Sequence, residues 1–410
     1  MYIERSLEKK VREYLKDKEV IAIVGARQSG KTTLMKEIFK GLKNAQFVSF
    51  EDRDILELFS SNIKEFIKKF IENTDFLFID EFQYAKEGGK NLKFLYDNYN
   101  AKIVISGSSV AELSIQSIKY LVGRVFVFTL HPFSFEEFFK YKDSKLYEIF
   151  KETKISETSV RAINEIYQEY LLYGGYPRVI IEKDETKKIE ILKNIYNTYL
   201  LKEIKEILQI EDDEKINKII KSLALQVGNL INFNELSSFT NIGFHQLKKY
   251  IEIIKKTFIC FEVKPYFRNK RKEIVKSPKI YFLDSGFRNI AIGNFQNLKE
   301  RTDIGPLNEN FVASELFKKE IPLNYWRTKA GAEIDFIIEK DNKLIPIEVK
   351  TVLKSPKYGK AFKSLINEYN PKEGFILSQE YYNKIQIVNT KIEFMPLFCV
   401  SKLITHLTTH

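Results

Sequence analysis

Two hydrophobic periodicities alternate along the first third of the chain. Nearly unbroken apolar runs occur at Val20-Ile21-Ala22-Ile23-Val24, Gln46-Phe47-Val48-Ser49-Phe50, Phe76-Leu77-Phe78-Ile79, Lys102-Ile103-Val104-Ile105-Ser106 and Val125 to Leu130. Runs without polar alternation predict strands covered on both faces, as in a parallel sheet. Between them lie segments with helical spacing: residues 5–18, the stretch through Leu34, Met35, Ile38 and Phe39, residues from 51 to about 73, the stretch through Leu92, Phe94 and Leu95, and a helix from near Ala111 to Leu121. This alternation predicts an α/β domain over residues 1–135, closed by His131-Pro132.

The pattern then changes. Residues 136–212 are dense in 3.6-residue periodicity. Residues 213–290 read as helix, short helix, a turn at Thr240-Asn241-Ile242-Gly243, a longer helix from Phe244 to Phe258, and two strands at Cys260–Phe267 and Lys279–Asp284. That order describes a winged helix. Residues 300–410 begin with an amphipathic helix, Asn308 to Phe317. Strands follow at Tyr325-Trp326-Arg327, Gly331 to Ile338 and Leu344 to Lys350, giving a further α/β domain.

Composition adds bounds. The 410 residues suit two to four domains, with 44% hydrophobic and 30% charged content. No apolar run reaches 18 residues and the amino terminus is charged, so neither a membrane span nor a signal peptide is expected, and the expected location is the cytoplasm. Cys260 and Cys399 read as buried thiols, and four histidines argue against zinc. The net charge of +11 suits a polyanionic partner, or a surface solvated by lysine.

The candidate chemistry starts after the first strand. The run Gly25, Ala26, Arg27, Gln28, Ser29, Gly30, Lys31, Thr32, Thr33 has the spacing G-x-x-x-x-G-K-S/T of a phosphate-binding loop. Glycines let backbone N–H groups curl round phosphates at a helix N-terminus. Lys31 would reach the β- and γ-phosphates of ATP, and Thr32 would ligate Mg²⁺. Asp80, at the end of the third apolar run, stands where a Walker B aspartate holds Mg²⁺, and Glu81 beside it could polarise the attacking water. Ser106 and Ser108 end the next strand, as γ-phosphate sensors or as helix caps. Arg124 could reach a neighbour's site in an oligomer or complement a helix dipole.

GARQSGKTT, FLFIDEFQ, ISGSS and GR…HPFSFEEF together resemble archaeal and bacterial AAA-type ATPases, particularly those joined to a carboxyl-terminal domain of unknown function, and also the STAND branch. The resemblance implies a helical lid over residues 136–212. Gly175-Tyr176-Pro177 resembles the lid's GxP motif, which would bring Pro177 near the nucleotide; it also reads as a turn between helices.

In the last segment, Asp335, then Glu348-Val349-Lys350 on the next strand and Glu309 on the preceding helix, resemble a PD-(D/E)XK restriction-endonuclease-like core. Strand alternation puts Glu348 and Lys350 on one side. The resemblance implies Asp335, Glu348 and Glu309 as metal ligands, with Lys350 acting on the hydrolytic water; a buried ion pair is the alternative. Lys354, Lys357, Lys360 and Lys363 could floor a DNA backbone, as could Lys264, Arg268, Lys270, Arg271, Lys272, Lys276 and Lys279 in the wing. The helix before that wing offers few base-reading side chains, so protein contact is equally open.

The sequence thus predicts a multidomain α/β protein: a P-loop parallel-sheet ATPase with helical lid, winged helix and restriction-endonuclease-like domain. The expected function is an Mg²⁺-dependent ATP-hydrolysing switch or motor coupled to a DNA-directed, nuclease-like domain, possible as a homo-oligomer. The alternative is a signalling or scaffold ATPase whose last domain only binds protein or nucleic acid.

Overall fold

The computed structural model describes residues 2–107, 118–152, 155–201, 204, 213–268 and 277–408. They form two compact units, residues 1–133 with 256–258, and residues 134–255 with 259–410.

The first unit holds β1 (Val20–Val24), β2 (Ala45–Ser49), β3 (Phe76–Asp80), β4 (Lys102–Gly107) and β5 (Val125–Thr129). They pair in parallel in the order β2-β3-β4-β1-β5. Burial of both faces explains the unbroken apolar runs of β1, β3 and β4, whereas the edge strands β2 and β5 are only partly covered. Ala22, Val24, Leu77, Ile79, Ile103 and Ile105 pack with Phe59, Phe66 and Leu92 on one side. Ile21, Ile23, Phe78 and Val104 pack with Leu34, Met35 and Ile38 of helix Lys31–Lys40 on the other. Burying each such side chain contributes about 1.5–3 kcal/mol.

The helical region expected from residue 51 to 73 is two helices, Arg53–Ser61 and Ile63–Phe70. Asn62 leaves helical geometry between them and caps the second, its side chain accepting from the Glu65 amide at 3.3 Å. Most of the helix expected from Ala111 lies outside the described residues, which resume with a 3₁₀ turn at Ile118–Leu121.

In the second unit, helices Phe135–Lys142, Ser144–Lys151, Glu157–Tyr173, Pro177–Ile181 and Glu185–Asn194 share one body with the carboxyl-terminal segment. Helices Phe233–Thr240 and Phe244–Lys256 lead to the antiparallel β6 (Cys260–Pro265) and β7 (Lys279–Phe282). Then come helix Ile304–Lys318, β8 (Asn324–Arg327), β9 (Glu333–Lys340), β10 (Lys343–Val349), β11 (Glu373–Ser378), β12 (Asn383–Ile387) and β13 (Thr390–Pro396). All eight strands join in the order β12-β13-β11-β10-β9-β8-β6-β7.

Two expectations change here. The strands read as a free wing extend this sheet, because Lys264 and Pro265 of β6 pair in parallel with Asn324 and Tyr325 of β8. Helix Ile304–Lys318 is not amphipathic but buried nearly all round, including Asn308, Asn310 and Glu315. Most of its polar side-chain atoms are satisfied internally: Tyr167 donates to Asn308 Oδ1 at 2.9 Å, although Asn308 Nδ2 has no partner, Asn310 holds both backbone groups of Phe282, and Glu315 accepts from the Phe135 amide and Tyr170 hydroxyl.

Candidate functional site

The parallel sheet brings the carboxyl ends of β1, β3 and β4 to one edge, where α/β sheets bind ligands. The phosphate loop leaves β1 there. Gly25 has φ +153°, and a Cβ on it would strike the Leu130 carbonyl. Only glycine fits that approach. Gln28, exposed at φ 57°, and Gly30, at φ 99°, complete the curl into helix Lys31–Lys40, whose first turn carries Thr32 and Thr33. Lys31 is buried, with Nζ donating to the Gly25 and Ala26 carbonyls at 2.9 Å each, so its ammonium is held over the loop. Ser29 is fully buried, and its Oγ has no hydrogen-bond partner. Arg27 is half-buried beside it in sequence.

β4 lies between β1 and β3, and its tip ties the acidic pair into place. Ser106 Oγ donates to Asp80 Oδ1 and accepts from the Glu81 amide at 3.1 Å. Asp80 is buried at the end of β3. Glu81 adopts φ 54°, ψ 45°, a left-handed conformation that costs a non-glycine residue about 1–2 kcal/mol. Its carboxylate accepts from Gln83 Nε2. A glycine-bounded loop at a helix N-terminus, an orphaned buried hydroxyl and a fixed aspartate fit a nucleotide phosphate and Mg²⁺; Thr32 and Asp80 would hold the ion.

Sequence reasoning missed Arg5 and Gln83. Arg5 is buried, donating to the Ser29 carbonyl at 3.0 Å and the His131 carbonyl at 2.6 Å, with its guanidinium 3.9 Å from the Phe133 ring centroid. No local pattern links residues so far apart in sequence. Gln83 carried a readable signal, an amide two residues beyond the glutamate.

Of the other expected residues, Arg124 is the one that the first unit places away from this edge. Ser108 lies outside the described residues. Arg124 precedes β5, and its carbonyl bonds the Val20 amide at the start of β1, placing it at the opposite end of the sheet with Nε 3.2 Å from Asp97. Pro177 belongs to the second unit, where the turn before it is explained locally: the Gly175 amide donates to Asp284 at 2.7 Å, and Gly174, at φ +72°, packs against that carboxylate.

The second unit assembles another polar cluster. Asp335 accepts from the Val349 amide at 2.7 Å, and Glu348, buried, pairs with Lys350 at 2.6 Å while its Oε2 stays unpartnered. Protein packed around Asp335, with Glu309 and Glu348 nearby, pushes its carboxyl up to about 8 despite Lys279. Lys350 loses to burial but is held above its ordinary value by Glu348, Asp335 and Glu309.

The expected metal set is not formed. Glu309 is engaged by Lys279 at 3.1 Å and by Tyr281, and among the described residues no three His, Cys, Asp or Glu side chains group to hold a metal. Lys279, expected on a phosphate-clamping wing, is 1% exposed. Of the other wing cations, Lys264 and Arg268 are exposed, whereas Lys270, Arg271, Lys272 and Lys276 lie outside the described residues. Lys354, Lys357, Lys360 and Lys363 are exposed.

Comparisons with known proteins match three segments of the chain. Residues 17–139 match an AAA domain, 164–298 the domain of unknown function DUF8612, and 304–399 the domain of unknown function DUF4143. An uncharacterized protein of Haemophilus influenzae is 25% identical, covering 93% of this chain and 94% of its own length. One from Methanocaldococcus jannaschii is 26% identical, covering 88% and 83%. A Walker-type ATPase of Pyrococcus abyssi is a similar solved structure, with TM-score 0.48 and 17% identity over 71% of this chain and 96% of that one. The segment that matches an AAA domain is therefore the same one that carries the phosphate loop, the parallel sheet and the acidic strand end.

Proposed function

We propose that the chain is an ATP-hydrolysing switch whose first unit binds ATP with Mg²⁺ and whose second unit is directed to DNA. The observation that carries the first half is the junction of Asp80, Glu81 and Ser106 at the sheet edge that also bears the phosphate loop. Loop amides and Lys31 would hold the β- and γ-phosphates, with Arg27, Gln28, Ser29 and Thr33 lining the cradle. Thr32 and Asp80 would hold Mg²⁺, which supplies charge neutralisation at the phosphate oxygens. Glu81, once released from Gln83, orients and deprotonates the attacking water.

The DNA half rests on charge: a net +11 and exposed lysines at 354, 357, 360 and 363. No hydrolytic step is assigned to the second unit, because its expected metal set is not assembled. Arg124 acts, in this reading, only through a second copy of the chain.

The hydrogen bond from Gln83 to Glu81 also favours a second reading, a signalling or scaffold ATPase that retains nucleotide instead of turning it over. Steady-state ATP turnover with and without duplex DNA separates them. Stimulation by DNA supports the switch, whereas tight nucleotide retention with negligible turnover supports the scaffold. Absence of DNA binding at low salt removes the DNA half.

A further inference from the structure

The carboxylates of the second unit converge on a lysine. Lys279 Nζ lies 3.1 Å from Glu309, on helix Ile304–Lys318, and 2.5 Å from Glu333, at the start of β9 two residues before Asp335. Burial pulls its ammonium down, but Glu309, Asp335 and Glu333 together hold it above its ordinary value, so it is a cation near neutral pH.

Its backbone is fixed on both sides. Lys279 pairs with Val263 of β6 and bridges Leu230, while the Gly228 amide donates to the Ile280 carbonyl at 3.2 Å. Tyr281, two residues along β7 and thus on the same face, donates its hydroxyl to Glu309. Gly228 encloses that carboxylate further, since a Cβ there would stand 3.1 Å from Glu309 Oε2. Gly228, Lys279 and Tyr281 all precede the segment that supplies the acids. The preceding module therefore completes the cluster.

We propose that Lys279 is the resident counter-cation of Glu309 and Glu333 beside Asp335 and excludes a divalent metal from this cluster. The unit then presents a surface for polyanions without metal-assisted hydrolysis. A divalent ion at Asp335 would need Glu309 to leave Lys279 and would then face an ammonium that keeps only Glu333 as a partner. The inference goes beyond the switch reading and does not depend on ATP hydrolysis by the first unit.

The test is Mn²⁺ titration of the full, nucleotide-free chain, with free Mn²⁺ read by electron paramagnetic resonance. Wild type, Asp335→Asn, Lys279→Met, and Lys279→Met combined with Asp335→Asn are compared. The expected result is no difference between wild type and Asp335→Asn, and in Lys279→Met one added site at least about tenfold tighter than any in wild type, lost in the double variant. A wild-type site abolished by Asp335→Asn overturns the proposal. So does a Lys279→Met protein with native circular dichroism and no added site. Should that variant not fold, Lys279→Gln takes its place, and the wild-type comparison decides by itself. Binding is read without DNA, so failure here stays distinct from failure of the DNA reading.

Discussion

Arg5 shows how much of a nucleotide site can rest on one residue outside the motif. It ties the Ser29 and His131 carbonyls together from a buried position. Arg5→Ala leaves two buried acceptors with lost charge-assisted bonds, and about 2–4 kcal/mol of stability should go with them in urea unfolding, together with weaker ATP binding. Gln83 restrains Glu81, so Gln83→Ala should raise ATP turnover at unchanged affinity; a fall instead would mean that the amide positions the carboxylate. Asp335 sets a pH dependence. Its folded value, raised to about 8, means that the native state keeps a proton that the unfolded chain has released. Stability should therefore fall as pH rises from the ordinary carboxyl range through about 8. Asp335→Asn should flatten this slope in denaturation measured across that range.

At the scale of elements, the strands and the acid pair were legible because each is contiguous: an apolar run both predicts β3 and places Asp80 at its end. What crosses the sheet was not. The Ser106 tie to Asp80 depends on β4 lying between β1 and β3, an order that five similar apolar runs do not encode locally. The same limit hid the pairing of β6 with β8, since contacts between distant strands leave no local signature. The helix Asn308 to Phe317 reads as amphipathic in the sequence because buried polar residues such as Asn310 imitate a solvent-facing side. Inside the protein, Asn310 instead clamps β7 through both backbone groups of Phe282. Asn310→Leu would leave that amide and carbonyl unpaired, and about 2–4 kcal/mol of unfolding free energy should be lost in the second unit, seen as an earlier transition in calorimetry.

For the whole molecule, the nucleotide motif and the second carboxylate cluster lie in separate compact units. The sequence signalled both because each carries acids and a lysine at characteristic spacing. It could not signal that Lys279, counted among surface cations, would be buried against Glu309 and Glu333. No described helix is long and apolar enough to cross a membrane, and the charge excess of +11 makes polyanion binding the salt-sensitive property to measure. Hydrolysis at the sheet edge of the first unit is the central proposal. Its most direct test is phosphate release by wild type and Glu81→Gln, with ATP affinity measured on the same samples. Unchanged affinity and a loss of turnover of roughly 10²–10⁴-fold are expected in the variant; equal turnover in the two proteins would contradict hydrolysis at this site.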